Sequence, residues 1–482
     1  MSAPSDVSTS VGTGSAALGR DSSSDHHRLL TVGIAVLGIF VTYVPVTSVS
    51  VTLTTIGTTT RATTSDLQWV SDGYVIPMAA AVLSAGLFGD RYGRRRVFLA
   101  GLALTMIGAT VAGLSAARTG STALHLLWAG QALCGLGAGM LLPTTLALIA
   151  HAVPDARERG RYIGLWATGL MLGLAVGPLM AGVILEHGGY GWTFAPTVAL
   201  AALAGIAALA RLPESKAPEP RPFDWPGQLT ATAAITASIY GVIEGGAQGW
   251  SSPACLAGLG IGAAAFVAFV IAEARSSAPL LRLSLFRSAA FTTAGLSALI
   301  ALFSVVGTVF LLSLYLGYVQ RLTALQIGLR LLFMSGVAAA FNPVVGATLQ
   351  KFRAGYLLAA GLGLSSAGVL LLTGLNPHTG AVDLGWRLAV FGLSIAIMLT
   401  TVSTAAVNAV PWQLAGMASA ANTVMRQYGG ALGPAILGTI FAARTASGAT
   451  PTAALHTALV VDASLLFIAA LACLATTRRF RV

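Results

Sequence analysis

Long apolar stretches, separated by short polar turns, recur along almost the whole chain. Each stretch is long enough to cross a lipid bilayer, because a spanning helix needs about 20 apolar residues. The pattern predicts fourteen of them, at residues 29–57, 67–89, 97–116, 123–150, 161–185, 192–210, 228–247, 254–274, 290–317, 326–349, 355–375, 384–410, 415–441 and 455–476. Lipid offers the backbone no hydrogen-bond partner, so we predict an all-α membrane protein.

Composition favours the same fold class. The 482 residues are 55% hydrophobic and 9% charged, whereas an average soluble domain has about 25% charged residues. Too few charges are present to cover a water-soluble globule, which excludes a soluble enzyme, a disordered protein and a secreted disulfide scaffold. The formal net charge of +11 comes from cations in the turns, so the expected partners are anionic lipid head groups and not nucleic acid.

Signatures of catalysis are missing from the sequence. It contains no Gly-x-x-x-x-Gly-Lys phosphate loop, so ATP is not expected as an energy source. It also has no recognisable nucleophile–base pair and no cysteine pair with metal-ligand spacing. We therefore expect no enzyme activity and no bound metal or cofactor.

The cations are unevenly distributed between alternate turns. If the N-terminus is cytoplasmic, twenty of the 27 Lys and Arg residues fall on the inner side, six fall on the outer side, and Arg426 lies within a stretch. Cytoplasmic turns of membrane proteins carry the excess of Lys and Arg. The bias therefore predicts that both termini are cytoplasmic.

The turn after the second stretch carries the most specific motif. An acid there is followed by several guanidinium groups, which can form a clamp at the cytoplasmic face. Such a clamp would hold one conformation and break in another, although a simple cationic anchor is the alternative. The residues of this predicted gating loop are Gly86, Asp90, Arg91, Gly93, Arg94 and Arg95.

This turn resembles the signature loop of the major facilitator superfamily. The fifth stretch resembles the antiporter motif of drug exporters in that superfamily, with Ala181 in place of one glycine; its residues are Gly164, Gly173, Gly177, Pro178 and Gly182. Residues 65–70, 244–250 and 422–433 are similar to segments of its fourteen-span drug:proton antiporter family. The resemblance implies export of small, hydrophobic or cationic compounds by proton-coupled alternating access, as in multidrug efflux and antibiotic resistance.

The same resemblance implies a domain organisation for a multi-pass protein of the bacterial cytoplasmic membrane. Two six-helix bundles are expected at residues 29–210 and 290–476, separated at 211–289 by a linker with two extra spans. Residues 1–28, rich in Ser, Thr, Gly and Asp, are predicted to be a disordered tail, and 477–482 a second cytoplasmic tail.

Two positions depart from the family pattern. Pro45 stands where the first span of the family usually carries an acid, and Gln131 stands where its fourth span usually carries an arginine. Both positions are tied to proton coupling in the family. An uncoupled facilitator or importer, or a membrane sensor that transports nothing, therefore remains an alternative.

Five polar residues are candidates for coupling or substrate contact: Asp72, Gln131, Glu244, Arg426 and Asp462. Ionisable groups within spans are costly and usually functional. Arg426 lies about 16 Å into its stretch, where it either holds an anionic group or acts as a structural counter-ion. Asp462 lies about 10 Å below an outer end. Asp72 and Glu244 lie nearer the outer edge, as proton carriers or as hydrated vestibule acids.

Overall fold

The computed structural model describes residues 14–153, 156–216, 223–277, 279–348, 352–410 and 414–477, and fourteen α-helices make up most of that part of the chain. Three short 3-10 helices and no β-strand accompany them in the described residues. The helices are α1 Gly14–Thr60, α2 Thr64–Tyr92, α3 Arg94–Leu114, α4 Gly120–Ala152, α5 Ala156–His187, α6 Ala195–Arg211, α7 Trp225–Gln248, α8 Pro253–Arg275, α9 Ala289–Tyr318, α10 Ala324–Thr348, α11 Ala354–Leu372, α12 Ala381–Asn408, α13 Ala415–Ala446 and α14 Pro451–Thr477.

Each helix covers one predicted apolar stretch, which confirms the all-α fold class. Eleven helices are long and apolar enough to cross a membrane, and bent α2 makes a twelfth when it is counted as one span. The other two, α7 and α13, have 24 and 32 residues, which is sufficient length for a hydrocarbon core of about 30 Å. Because α13 packs against α2, α7, α9 and α14, its polar residues can face protein instead of lipid.

The start of α1 differs from the prediction of a disordered tail at residues 1–28. The helix begins at Gly14, so residues 14–28 are helical, and residues 1–13 lie outside the described part. Once a spanning helix exists, each residue added to its end gains one backbone hydrogen bond without a new nucleation step. The helix can therefore continue into a polar segment.

Helices α1–α6 pack together as an N-terminal bundle and α9–α14 as a C-terminal bundle. Small residues bring their backbones close: a β-carbon at Gly108 of α3 would lie 2.6 Å from both the Cys134 nitrogen and the Gly130 oxygen of α4. In membranes such small residues allow close helix packing where no hydrophobic driving force exists. Helices α7 and α8 form a separate pair, and α7 contacts both α2 and α13.

The two bundles meet mainly along α2–α13 and α5–α10. We call the end of the molecule that carries Arg94–Arg96 and Arg211 the basic end, and the end that carries the α1–α2 turn at 61–63 the opposite end. Among the described residues, side-chain hydrogen bonds and close glycine contacts between the bundles lie in the half near the opposite end or at the middle. The bundles are therefore closed against each other at the opposite end.

Candidate functional site

The turn between α2 and α3, where the helical geometry is interrupted, brings an acid and a guanidinium group together. Arg94 Nη2 lies 3.0 Å from Asp90 Oδ1. Between them Gly93 has a φ of +111°, a backbone conformation that glycine adopts without steric cost. The sharp turn lets α3 start immediately after α2 and places the Asp90 and Arg94 side chains beside each other.

Glu214, just beyond the end of α6, contacts this turn through Arg95 and Arg96. Its Oε1 accepts a hydrogen bond of 3.1 Å from the Arg95 backbone nitrogen, and its Oε2 lies 3.7 Å from Arg96 Nε. The Arg95 side chain donates to the Leu209 carbonyl oxygen at 2.7 Å. We did not predict a role for Glu214, although an acid directly after a span and on the same side as an arginine run was a usable signal.

The remaining residues of the predicted gating loop lie at its margins. A β-carbon at Gly86 would be 4.0 Å from the Pro143 side chain of α4, so α2 and α4 approach there without tight contact. The Arg91 guanidinium is 5.8 Å from the Tyr92 ring centroid, and both side chains are exposed. The structure therefore brings Asp90, Gly93, Arg94 and Arg95 together with Glu214.

The motif in α5 faces two different helices. A β-carbon at Gly173 would lie 2.9 Å from the Phe40 oxygen of α1, and one at Gly177 would lie 2.8 Å from the Val44 oxygen. Further along, Gly182 packs against Leu325 of α10 in the other bundle. The motif thus joins α5 to its own bundle and to the opposite one, while the surroundings of Gly164 lie outside the described residues.

Pro178 is the second point of contact between α5 and α10. A β-carbon at Gly328 of α10 would lie 2.9 Å from the Pro178 oxygen. Pro178 also lies inside α5, where its ring removes a backbone donor and disturbs the helix. The backbone hydrogen bonding of α5 is therefore interrupted at a point where the two bundles are in contact.

Hydroxyl groups along α1 mostly satisfy helix carbonyls. Thr52 Oγ1 donates to the Ser48 oxygen at 2.7 Å, a local bond that serine and threonine often make in helices. Two hydroxyls also reach α5: Ser48 Oγ donates to the Gly177 oxygen at 3.0 Å, and Thr47 Oγ1 lies 3.2 Å from the Gly173 oxygen as well as 3.1 Å from the Tyr43 oxygen of its own helix. These hydroxyls fix the α1–α5 contact.

Asp72 is fully buried on α2, and neither of its carboxyl oxygens has a hydrogen-bond partner in the part of the chain that the structure describes. Gln68, one turn away on the same face, donates through Nε2 to the Pro434 oxygen of α13 at 3.1 Å and the Ala435 oxygen at 3.2 Å. Residues four apart on a helix share a face, so Asp72 lies on the α13-facing side of α2.

Gln131 is also fully buried, and it packs α4 against α2. Its Nε2 donates to the Val70 oxygen at 3.1 Å, while its Oε1 has no partner. Nearby on α2, the buried Tyr74 hydroxyl donates to the Thr42 oxygen of α1. These contacts bind helices of one bundle to each other, and they leave Gln131 inaccessible to a substrate in this conformation.

Arg426 lies near the middle of α13 and is only partly buried. Its Nε is shielded from solvent without a hydrogen-bond partner, and no ion pair joins it to an acid in the described part of the chain. It interacts electrostatically with Tyr43 of α1. Its neighbour Gln427 donates through Nε2 to Met78 Sδ of α2 at 2.9 Å, so this level of α13 lies at the boundary between the bundles.

Asp462 is enclosed within the C-terminal bundle. Its Oδ2 accepts hydrogen bonds from Ser304 Oγ at 2.8 Å and Thr308 Oγ1 at 2.9 Å on α9, while Oδ1 has no partner. Because α14 begins at Pro451 and not at 455, Asp462 lies about 16 Å from that helix end, deeper than predicted.

The five candidates do not converge on one site. Glu244 lies near the end of α7, where its carboxylate accepts a hydrogen bond from Gln248 of the same helix. Met78 lies level with Gln427, the neighbour of Arg426, and Asp72 is six residues from Met78 along α2, which places Asp72 about 9 Å from the level of Gln427 along the helix axes. Asp72 and Arg426 thus lie on α2 and α13, which pack against each other where the two bundles meet.

A family model described as Major Facilitator Superfamily matches residues 35–434. The multidrug resistance protein Stp of Mycobacterium tuberculosis is 33% identical over 377 residues, covering 78% of this chain and 69% of Stp. The methylenomycin A resistance protein of Bacillus subtilis is 30% identical, covering 78% of this chain and 79% of that protein. The tetracenomycin C resistance and export protein of Streptomyces glaucescens is 29% identical, covering 79% and 70%.

Solved structures with low sequence identity share the fold. A POT family transporter in complex with 5-aminolevulinic acid superposes with a TM-score of 0.70 at 14% identity, covering 94% of this chain and 96% of that one. A D-xylose-proton symporter superposes with a TM-score of 0.67 at 14% identity, covering 94% and 98%. These similarities establish the arrangement of the helices and carry no information about the substrate.

Proposed function

Because the chain belongs to the Major Facilitator Superfamily, we propose that it exports a small, largely apolar, antibiotic-like compound from the cytoplasm by alternating access to a central site. One observation carries the proposal: relatives 29% to 33% identical over 78% to 79% of this chain are named resistance and export proteins. The fold alone would not distinguish an exporter from an importer.

The contacts between the bundles support the alternating-access mechanism. We place the basic end in the cytoplasm, because that end carries the excess of cations. The described conformation then corresponds to the state closed to the outside, which loads substrate from the cytoplasm. Release to the outside requires the α5–α10 and α2–α13 contacts near the opposite end to separate while the basic end closes.

The loop around Asp90 and Arg94 is proposed as the cytoplasmic gate. The Asp90–Arg94 ion pair and the Glu214 contacts hold the α2–α3 turn within the N-terminal bundle. Charge-assisted hydrogen bonds of this kind are stronger than neutral ones. Exchange of these partners for groups on the approaching C-terminal bundle would then set the relative stability of the two states.

Proton coupling is proposed to use Asp72. A buried carboxylate without a partner is costly, so Asp72 would be protonated while α2 and α13 are in contact. Separation of α2 from α13 would admit water, which stabilises the ionised group and releases the proton. Asp72 would thereby replace the charges that are missing at Pro45 and Gln131. Asp462 is the less suitable carrier, because two hydroxyls already stabilise its carboxyl group within one bundle.

Transport into proteoliposomes with an imposed pH gradient tests export and coupling together. Tetracenomycin C is a suitable probe, because a relative is named for its export. We expect the gradient to accelerate its movement. Movement that ignores the gradient would favour an uncoupled facilitator, and no movement of any antibiotic or dye in cells or vesicles would favour a sensor.

Localisation in the bacterial cytoplasmic membrane with both termini inside is part of the proposal. Alkaline phosphatase fused after Arg118 should be active, because that turn is placed outside. The same enzyme fused after Lys216 should be inactive, because that segment is placed inside. The reverse result would invert the orientation and with it the assignment of the gate.

A further inference from the structure

Helices α2, α13 and α14 each carry, in the described part of the chain, one charged residue at least about 12 Å from both helix ends: Asp72, Arg426 and Asp462. Their accessibility differs sharply. Asp72 and Asp462 are both 0% exposed, and Asp462 is held by hydroxyls of α9. Arg426 is partly exposed. A molecule that enters between the bundles at this depth therefore meets one formal charge, and that charge is positive.

Within the described structure, Arg426 also lacks the ionic partner that a guanidinium in a membrane helix normally requires. An arginine cannot lose its charge in a protein, and intramembrane charges usually pair with one another or with carbonyl groups. Yet Arg426 forms no ion pair with the described residues, and its Nε is buried without a hydrogen-bond partner. In the described structure the guanidinium is therefore available to a ligand that enters between the bundles.

The surroundings of Arg426 belong to both bundles. Tyr43, which interacts with it electrostatically, lies on α1 of the N-terminal bundle. Asn422, one turn before Arg426, is 2% exposed and its Oδ1 has no partner. A ligand held here would contact the guanidinium of α13 and the phenol of α1, which lie on helices of different bundles that move relative to each other during transport. Such a position suits the central site of an alternating-access transporter.

We propose that the exported compound carries an acidic group, such as a carboxylate or an ionised enol or phenol, that pairs with Arg426. This inference rests on the proposed export function and names its substrate class. The guanidinium fork matches a planar carboxylate with two parallel hydrogen bonds. A cationic compound would instead meet a like charge, so the cationic substrates implied by the family resemblance are disfavoured.

The charge of the substrate also bears on the missing coupling residues. The cytoplasmic face of a bacterial membrane is electrically negative, and this potential drives an anion outward. Export of a cation works against the same potential and needs a coupled ion. A chain that exports anions therefore depends less on charges at the positions of Pro45 and Gln131.

Two xanthene dyes of similar shape and opposite charge test the inference: fluorescein is anionic and rhodamine 123 is cationic at neutral pH. Equilibrium binding is measured on the purified full chain in detergent or nanodiscs. We expect the wild type to bind fluorescein at least tenfold more tightly than rhodamine 123. Equal affinities, a preference for rhodamine 123 or no binding of fluorescein would overturn the proposal, and this comparison needs no variant.

Substitution of Arg426 then assigns the effect to the residue. We expect Arg426→Gln to weaken fluorescein binding at least tenfold without weakening rhodamine 123 binding, and Arg426→Lys to retain most of the fluorescein affinity. Unchanged fluorescein binding by a folded Arg426→Gln protein would refute the assignment. Arg426-dependent binding without any transport in vesicles would refute the export function and leave the anion site intact, so the two failures are distinguishable.

Discussion

Gln68 of α2 donates from Nε2 to the carbonyl oxygen of Pro434 on α13 at 3.1 Å, and so links the two bundles by a hydrogen bond from a side chain to a backbone carbonyl. The same nitrogen lies 3.2 Å from the Ala435 oxygen. Gln68 is 2% exposed, so the contact is dry. A buried bond of this kind favours the state in which the opposite end is closed.

Gln68→Ala should shift the transporter toward the state that is open at the opposite end. The lost bond is worth about 1 kcal/mol, or roughly fivefold in the ratio of the two states. Spin labels on α5 and α10 near the opposite end would report the change as a longer distance. Gln248→Ala is the matched control, because Gln248 bonds only to Glu244 of its own helix in the described structure; an equal shift in both variants would contradict the prediction.

Asp90→Asn should impair transport by about tenfold while membrane insertion stays intact, because a charge-assisted bond to Arg94 becomes a neutral one. Transport rates per inserted molecule measure the effect. Arg96→Gln provides the comparison: the Arg96 side chain is 71% exposed, and exposed ion pairs contribute about 0–1 kcal/mol. Wild-type rates in Asp90→Asn would remove the gating assignment.

Gly93→Ala should destabilise the α2–α3 turn by about 1–3 kcal/mol. The new β-carbon would occupy a left-handed backbone position and lie within 2.8 Å of Glu214 Oε2. Thermal unfolding of the purified protein measures the loss. Gly249→Ala separates the two causes, because Gly249 has a φ of +95° and open space around it. If both substitutions lower the stability of the protein equally, the contact with Glu214 does not contribute to the loss.

Gly328→Ala should hinder closure of the opposite end. Its β-carbon would lie 2.9 Å from the Pro178 oxygen and 3.0 Å from the Pro178 carbonyl carbon, and a backbone atom cannot move aside as a side-chain tip can. The expected result is increased labelling, by a membrane-impermeant thiol reagent, of a cysteine placed on α10 near that end. Gly336→Ala on the same helix has open space and should label like the wild type.

Asp72→Asn should abolish the response of transport to a pH gradient, because an amide cannot carry a proton through the cycle. The protein should remain folded, since the substitution introduces no charge at a dry position. Proteoliposome transport with and without the gradient measures the response. Asp462→Asn should retain gradient dependence; the opposite pattern would transfer the coupling role from α2 to α14.

The fourteen helices could be predicted from sequence because each depends on its own residues. In lipid a backbone must satisfy its hydrogen bonds within the segment, so an apolar stretch of sufficient length predicts a helix with bounds close to those observed. The extension of α1 over residues 14–28 has the converse cause. Those residues carry no apolar signal, and their helix follows from the spanning segment beside them.

The environments of the candidate residues could not be predicted in the same way. Gln131 and Asp72 are both polar and both lie within apolar stretches, yet one packs α4 against α2 and the other has no hydrogen-bond partner among the described residues. Glu214 was missed because its contact partner, Arg95, is more than a hundred residues away in the chain. Spacing along one helix contains no information about such pairs.

The sequence alone therefore determined that the chain is a bundle of membrane helices, which end of it is basic and which loop carries the arginine cluster. These properties depend on local hydrogen bonding and on the order of charges along the chain. Only the tertiary structure decided that Glu214 holds the loop, that Gln68 joins the bundles and that Arg426 forms no ion pair with any described residue. Those facts depend on contacts between helices distant in sequence, where a shift of one helix by a single residue would change which side chains meet.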